Sequence, residues 1–159
     1  MADTDGSARS ADPKEAPARE IRKGGLIVIE GRPCRVVDVK PRAMGKDGSP
    51  RSLVFTAMDV FTAKESEEVV QYHASVEVPH VQRLEYEALG IEEDGQHVSL
   101  IDKEGETRSI ELPDKVPAYR AVPCAGMLSK KIRDSFEQGR DFKVIVQRAH
   151  GFVQIVDIR

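Results

Sequence analysis

The sequence predicts a mainly β protein built from two small barrels. Most apolar residues lie in short runs rich in Val, Ile, Leu and Phe, bounded by glycine, proline or charged residues, which is typical of strands. Only residues 128–138 show clear helical spacing. The 159 residues allow one domain or two small ones. No apolar run approaches the roughly 20 residues of a membrane helix, so no membrane partner is expected.

Residues 1–20 are predicted to form a disordered tail. They are rich in Ala, Asp, Ser, Pro and Glu, and Met1 is their only large apolar residue. Such a segment buries too few apolar side chains to offset the conformational entropy that it would lose on becoming ordered. The N-terminus also lacks the apolar segment of a signal peptide, and Cys34 and Cys124 lack a Cys-x-x-Cys spacing. We therefore expect a cytoplasmic protein with reduced thiols.

The first barrel is predicted within residues 21–81. After a turn at Gly24-Gly25, strands are expected at residues 26–29, 34–39, 53–61 and 68–73. Several short strands at this spacing indicate a small barrel. Residues 76–81 are interpreted as a crossing segment between two units, because Pro79 has no N–H for a strand ladder.

The second barrel is predicted for residues 83–159. Strands are expected at 84–89, 98–101 and 107–112, followed by a proline-containing irregular connection. In the helix that follows, Leu128, Ile132 and Phe136 share one face, and Gly139 is placed to end it. Two strands, 142–146 and 152–156, complete the order. Three strands, a helix and two strands is the order of a five-stranded Greek-key barrel, the OB-fold.

Residues 40–51, between two strands of the first barrel, are predicted to form a basic loop. Pro41 and Pro50 stiffen its stems, whereas Gly45 and Gly48 free its tip, where Lys46 lies. The loop carries a net charge of +3 in a chain of net charge −3. Such a tip suits a polyanion, although a lysine at a hairpin tip is more often a solvated charge. A phosphate-binding loop of the Gly-x-x-x-x-Gly-Lys-Ser/Thr class is excluded because that motif is absent and no helix follows.

Charge is spread unevenly along the chain. Residues 83–114 carry a net charge of −7, and residues 115–159 a net charge of +5. Because phosphates are repelled by acidic surfaces, we expect the acidic block to face away from nucleic acid.

The residue patterns indicate no enzyme and no metal site. No Gly-x-Ser-x-Gly elbow or His-Glu-x-x-His motif occurs, and the four histidines are dispersed, without ligand spacing to the cysteines. Glu30 and Asp59 are interpreted as turn or surface acids. The aromatic residues could stack on bases, but core packing is favoured; they are Tyr72, Tyr86, Phe142 and Phe152.

Five short motifs in order resemble the family of the eukaryotic translation factor 5A, the hypusine-containing protein. The motifs are Gly31-Arg32-Pro33-Cys34, Gly45-Lys46-Asp47-Gly48, Asp59-Val60-Phe61-Thr62, Val78-Pro79 and Phe136-Glu137-Gln138-Gly139. Each motif alone has little specificity, but their common order over residues 21–158 is specific. Only the tail and the connection 115–127 lie outside the resemblance.

The resemblance implies an SH3-like barrel for residues 21–81 and an OB-fold for residues 83–159. It implies that Lys46 receives an aminobutyl group from spermidine through deoxyhypusine synthase, and that deoxyhypusine hydroxylase completes hypusine; no other cofactor is implied. It further implies a factor that binds the ribosome beside the peptidyl-tRNA and promotes elongation, notably at proline runs. The longer side chain would carry two amines into an RNA-lined cavity and position the tRNA, while the bond-forming groups belong to the ribosome. The residues expected to contact the ribosome, its rRNA or the tRNA are Lys40, Arg42, Gly45, Lys46, Gly48 and Arg51.

The loop also departs from the family pattern. Met44 stands where the family usually has Thr, and Asp47 where it usually has His. Gly48-Ser49-Pro50-Arg51 replaces Gly-His-Ala-Lys. Asp47 places an acid beside Lys46, which bears on recognition by the modifying enzymes.

Two other functional interpretations of the sequence are possible. The Woronin-body core protein of filamentous fungi shares this two-domain fold and self-assembles into a peroxisomal lattice, but the C-terminal Asp157-Ile158-Arg159 is no peroxisomal signal. An RNA-binding paralogue without hypusine would keep the basic loop and bind RNA more weakly. The mass of the protein from its native host separates the hypusinated factor from both.

Overall fold

The computed structural model describes residues 14–159, and the chain divides into two compact units between His80 and Val81. The described part of the first unit, residues 14–80, contains six strands. They are β1 (Lys14–Pro17), β2 (Leu26–Ile29), β3 (Arg32–Met44), β4 (Pro50–Asp59), β5 (Glu65–Gln71) and β6 (Ser75–Val78). Strands β2 to β5 form an antiparallel sheet in sequence order, and β1 pairs with β6. These curled sheets confirm the expected SH3-like barrel.

The core of the first unit follows from strict alternation along its strands. In β2, Ile27 and Ile29 are buried, while Leu26 and Val28 are only partly covered. In β4, Leu53, Phe55 and Ala57 alternate in the same way and face the same core. Burying a side chain the size of Ile or Phe contributes about 1.5–3 kcal/mol, so this one face holds the barrel together.

The expectation of a disordered tail is wrong for residues 14–20. Residues 14–17 pair with β6, residues 18–20 form a 3-10 helix, and Ala18 is fully buried. Its N–H donates to the carbonyl of Ala74 at 2.8 Å. The segment is ordered because β6 satisfies its backbone, and composition alone does not reveal such a partner. The rest of the predicted tail, residues 1–13, lies outside the described residues.

The second unit contains five strands and a helix. The strands are β7 (Val81–Ile91), β8 (His97–Ile101), β9 (Thr107–Glu111), β10 (Lys143–Ala149) and β11 (Phe152–Ile158), and the helix is α1 (Ala125–Glu137). The antiparallel sheet has the order β11-β10-β7-β8-β9, and α1 lies between β9 and β10 in the chain. This arrangement confirms the OB-fold. The connection 113–126, expected to be irregular, contains two 3-10 helices, Pro113–Lys115 and Ala118–Arg120, and its last two residues already belong to α1.

Helix α1 closes the core of this unit with one face. Ile132 is fully buried, and Leu128 and Phe136 pack against the same cluster, as their spacing predicts. The helix begins three residues before its predicted start, after Cys124 in the left-handed region at φ 58°. It ends before Gly139, whose φ of 69° suits a residue without a side chain. Of the aromatic residues expected in cores, Tyr86 and Phe142 are buried here.

The largest difference from the sequence-based boundaries concerns residues 40–51. Strands β3 and β4 extend through Met44 and from Pro50, so that most of the predicted loop is a paired ladder. Pro41 is tolerated because β2 pairs only with residues 32–35 of β3, so that no described strand pairs with the other edge of β3 at this point.

Candidate functional site

The site predicted from the sequence lies at the end of the β3–β4 hairpin. The two strands keep one register from Asp38↔Thr56 to Met44↔Pro50, with a bulge beside Val37 at its base. The pairing is interrupted at Ala43, whose φ of 56° lies in the left-handed region. The six steps from residue 38 to residue 44 correspond to about 20 Å of extended chain. A paired ribbon of this length holds its tip well away from the bulge.

The base of this ribbon is anchored in the core. Phe55 is fully buried, Leu53 is 7% exposed, and Val39 and Val70 pack against them. On the edge of β4 that pairs with β5, the N–H of Tyr72 donates to the carbonyl of Arg51 at 2.9 Å. The hairpin is therefore rigidly attached at its base, while its outer half is exposed.

Lys46 lies at the tip and is exposed. Its side chain forms no hydrogen bond or ion pair with any of the residues that the structure describes. The turn closes beneath it through two backbone hydrogen bonds, from Gly45 N–H to the Ser49 carbonyl at 2.7 Å and from Gly48 N–H to the Gly45 carbonyl at 3.1 Å. Gly48 has a φ of 87°, a conformation that favours glycine. The amine of Lys46 is accordingly available to a partner.

Asp47 directs its charge into the turn. Its Oδ1 accepts hydrogen bonds from the Ser49 hydroxyl at 2.7 Å and from the Ser49 N–H at 3.1 Å. The Ser49 hydroxyl, followed by the Ser49 N–H, lowers the pKa of the Asp47 carboxyl below its ordinary value. The acid next to Lys46 is therefore ionised at neutral pH and is engaged by Ser49.

The four cations of the predicted loop are not gathered on one surface. Side chains alternate along a strand, so Lys40 and Arg42 lie on one face of the ribbon and Arg51 on the other. Lys40 is paired with Asp38 at 3.8 Å, and both side chains are exposed. Lys46 stands between the two faces at the tip. The ribbon thus presents positive charge on both sides.

Asp59 is more than the turn or surface acid that the sequence suggested. At the end of β4 it is 8% exposed, and its Oδ2 accepts a hydrogen bond from Arg32 Nε at 2.7 Å. Its Oδ1 accepts from the N–H groups of Phe61 at 2.8 Å and Thr62 at 2.9 Å. Burial raises the pKa of Asp59, but these partners outweigh it and the net shift is downward. Glu30, by contrast, is exposed in its turn.

A further polar cluster, absent from the sequence patterns, lies at the turn between β7 and β8. Possible ligand atoms of Glu92, Asp94 and His97 lie within 4.8 Å of one another. Asp94 accepts from the N–H of Gln96 at 2.8 Å and contacts His97 Nδ1 at 2.7 Å, and the Ser99 hydroxyl donates to Glu92 at 3.1 Å. These bonds account for the cluster as a capped turn, and no metal is assigned to it.

Both cysteines are free thiols. Cys34 is buried opposite Asp59 in the β3–β4 register, and Cys124 is exposed before α1. Burial, with a smaller contribution from Asp59, raises the pKa of Cys34 to about 11. Among residues 14–159, no helix is both long enough and apolar enough to cross a membrane.

Comparison with known proteins matches both halves of the chain to one family. Residues 11–73 match the family model "Translation initiation factor 5A-like, N-terminal", and residues 80–159 match "Eukaryotic elongation factor 5A hypusine, DNA-binding OB fold". Eukaryotic translation initiation factor 5A-3 of Arabidopsis thaliana is 38% identical over 156 residues, covering 98% of this chain and 90% of the relative.

Solved structures show the same relationship. A translation initiation factor 5A family protein from Naegleria fowleri superposes with a TM-score of 0.80 at 32% identity, covering 92% of this chain and 98% of that one. The translation initiation factor 5A of Methanococcus jannaschii has a TM-score of 0.63 at 21% identity, with coverage of 92% and 95%, and supports the fold.

Proposed function

The chain belongs to the eukaryotic translation initiation factor 5A family, and on this basis we propose that it binds the ribosome beside the peptidyl-tRNA and promotes peptide-bond formation, notably at runs of proline. Its family is one of translation factors, so the proposed role is to position the tRNA while the ribosome supplies the reacting groups. The partners would be the ribosome, its rRNA and the peptidyl-tRNA, in the cytoplasm.

One observation carries the proposal: Lys46, which pairs with no residue in the described part of the chain, lies at the tip of an exposed, paired ribbon that bears positive charge on both faces. A ribbon anchored only at its base can enter a cavity lined with phosphates, and its cations favour such a cavity. The contacts would come from Lys40 and Arg42 on one face, Arg51 on the other, and Gly45, Lys46 and Gly48 at the tip.

We further propose that Lys46 is converted to hypusine. In the net first reaction, catalysed by deoxyhypusine synthase, Lys46 Nζ forms a C–N bond to the aminobutyl carbon of spermidine. The bond from that carbon to the departing 1,3-diaminopropane breaks. Deoxyhypusine hydroxylase would then replace one C–H hydrogen of the added chain by a hydroxyl group, with dioxygen as the oxidant and a two-electron reductant, and with the second oxygen atom leaving as water. The modified side chain has a second amine and reaches further, which suits contact with the acceptor end of a tRNA. The exposure of Lys46 and the absence of a partner for it among residues 14–159 support this proposal, because the synthase must capture the amine.

The test combines intact-mass measurement with one conservative substitution. Protein from the native host should carry the mass of an aminobutyl group plus one oxygen. Lys46→Arg keeps one positive charge but does not accept the aminobutyl group. We expect it to lose support of proline-run synthesis in a translation extract depleted of the factor. Lys64→Arg, the same change in an exposed turn of the same unit, should behave like the parent.

If the ribbon acted through its positive charge alone, Lys46→Arg would give a different result. Arginine contacts phosphate at least as well as lysine, so full activity of Lys46→Arg would contradict the hypusine proposal. Together with an unmodified mass, that result would favour an RNA-binding paralogue that acts without hypusine.

A further inference from the structure

The hairpin tip contains a side-chain clamp whose role the proposed function leaves open. A single oxygen, Asp47 Oδ1, receives both the hydroxyl and the N–H of Ser49. The clamp therefore ties the residue after Lys46 to the residue that begins the return into β4. Asp side chains commonly stabilise turns by accepting a backbone N–H two residues on, and the hydroxyl adds a second bond here.

The backbone of the turn at Gly45 packs closely against the clamp formed by Asp47 and Ser49. A Cβ at Gly45 would lie 3.2 Å from Asp47 Oδ1 and 3.3 Å from the Ser49 carbonyl oxygen, both of which are tight contacts. The same Ser49 carbonyl accepts the N–H of Gly45 at 2.7 Å. Gly45, Asp47 and Ser49 thus form one compact unit around the backbone of Lys46.

The clamp also determines where the Asp47 carboxylate points. An exposed acid next to a lysine is free to pair with it, but here Oδ1 is bound to Ser49, and no described residue pairs with Lys46. The clamp thus keeps the turn closed with the lysine outward. A flexible tip would lose entropy on entering an enzyme's active site, whereas an ordered tip has already lost it.

We propose that Asp47 and Ser49 are positioning residues for the modification of Lys46: their clamp holds the turn in the conformation that the aminobutyl-transferring synthase binds. This inference rests on the proposed function, since it concerns the same lysine. Its effect falls on binding of the protein substrate, because neither side chain touches the atoms that react. It therefore predicts a change in KM for the protein substrate and none in kcat.

The experiment measures initial rates of aminobutyl transfer from labelled spermidine to the purified, unmodified full-length chain. Ser49→Ala removes the hydroxyl of the clamp, and we expect KM to rise about fivefold, which corresponds to the loss of one ordinary hydrogen bond, because the site is exposed to solvent. Ser49→Thr restores a hydroxyl and should return KM to within about twofold of the parent. Ser52→Ala, in the same hairpin, is the matched control, because its hydroxyl bonds to no described residue.

Asp47→Ala separates positioning from charge. If the clamp positions the turn, this substitution raises KM at least as much as Ser49→Ala, and the double variant is no worse than Asp47→Ala alone. A lower KM for Asp47→Ala would show that the carboxylate only impedes the enzyme, and would overturn the inference. An unchanged KM for Ser49→Ala, with the parent efficiently modified, would overturn it as well.

A second readout tests the clamp without the enzyme. In nuclear magnetic resonance titrations, Ser49→Ala should move the pKa of Asp47 up towards its ordinary value, and the amide of residue 49 should exchange faster with solvent. If the titration is unchanged, the clamp is not formed in solution and the inference fails, although hypusination of Lys46 would stand. If the parent chain accepts no aminobutyl group from an active synthase, the proposed modification fails together with the inference.

Discussion

Replacement of Asp59 should destabilise the first unit more than any change at the exposed tip. Asp59 is buried, and its carboxylate holds Arg32 and the two N–H groups that form the turn after β4. We expect the two amide bonds to contribute about 1 kcal/mol each and the charged bond to Arg32 about 1–2 kcal/mol, because Arg32 is partly exposed. Asp59→Ala should therefore lower the free energy of unfolding by about 3–4 kcal/mol.

Asp59→Asn separates the hydrogen bonds from the charge. The amide oxygen of Asn still accepts from the two turn N–H groups, but its NH2 group takes the place of Oδ2 and cannot accept from Arg32. The hydrogen bond and the ion pair with Arg32 are therefore lost, while the turn keeps its acceptor. We expect a loss of about 1–2 kcal/mol. Glu67→Gln, an exposed change of the same kind on β5, should stay within about 0.5 kcal/mol of the parent.

The assay is urea denaturation, with peptide-resolved hydrogen exchange as the readout of unfolding. This readout gives the stability of β2–β5 separately from that of the second unit. With an m-value of about 1 kcal/mol/M for a unit of this size, Asp59→Ala should move the midpoint down by about 3 M urea, or unfold the unit without denaturant. A loss below about 1 kcal/mol would refute the reasoning that this buried carboxylate organises the turn.

The pH dependence gives an independent check on Asp59. Its pKa is lowered in the folded protein, so its contribution is fully present above the unfolded value near 3.8. That contribution is lost as the pH falls through the lower, folded pKa. The stability difference between the parent and Asp59→Asn should accordingly be constant from neutral pH down to about pH 5 and should shrink in stronger acid.

Three further outcomes test the placement of charge and thiols. Arg42→Ala should weaken ribosome binding and reduce the slope of log affinity against log salt by about 1, without abolishing activity, as measured by sedimentation at several salt concentrations. Glu93→Lys, in the acidic block of the second unit, should leave ribosome affinity within about twofold, and a large loss would place the partner on that face. Iodoacetamide should alkylate Cys124 rapidly in the native protein, and should reach Cys34 only in denaturant, as read by peptide mass spectrometry.

Local patterns predicted much of this fold because each depends on a few neighbouring residues. Strand β2 has the expected limits at Leu26 and Ile29, and α1 buries the face that the spacing of Leu128, Ile132 and Phe136 predicts. The chain divides close to Pro79, as expected: β6 ends at Val78, the residue before this proline, which has no N–H to continue the ladder.

The same local patterns did not predict the outer hairpin or the ordered start of the described chain. Residues 40–44 and 50–52 contain two prolines and four polar residues, and they form strands because the two segments pair with each other across the ribbon. Lys14–Pro17 form β1 for the same reason, since β6 lies beside them. Backbone hydrogen bonds join N–H and C=O groups that nearly every residue has, so they do not depend on which side chains are present. Amino-acid composition therefore does not predict which distant segments pair.

The sequence by itself determined that a lysine between two glycines stands at a tip joining two strands, because glycine and the alternation of apolar residues act locally. Only the tertiary structure decided what surrounds that lysine. Asp47 is adjacent to Lys46 in the chain, yet its carboxylate turns to Ser49, and the cations of the hairpin divide between two faces. Both outcomes depend on the path of the backbone through the turn and on strand register. The backbone path and the register are set by hydrogen bonds between residues whose pairing is not evident from their order in the sequence.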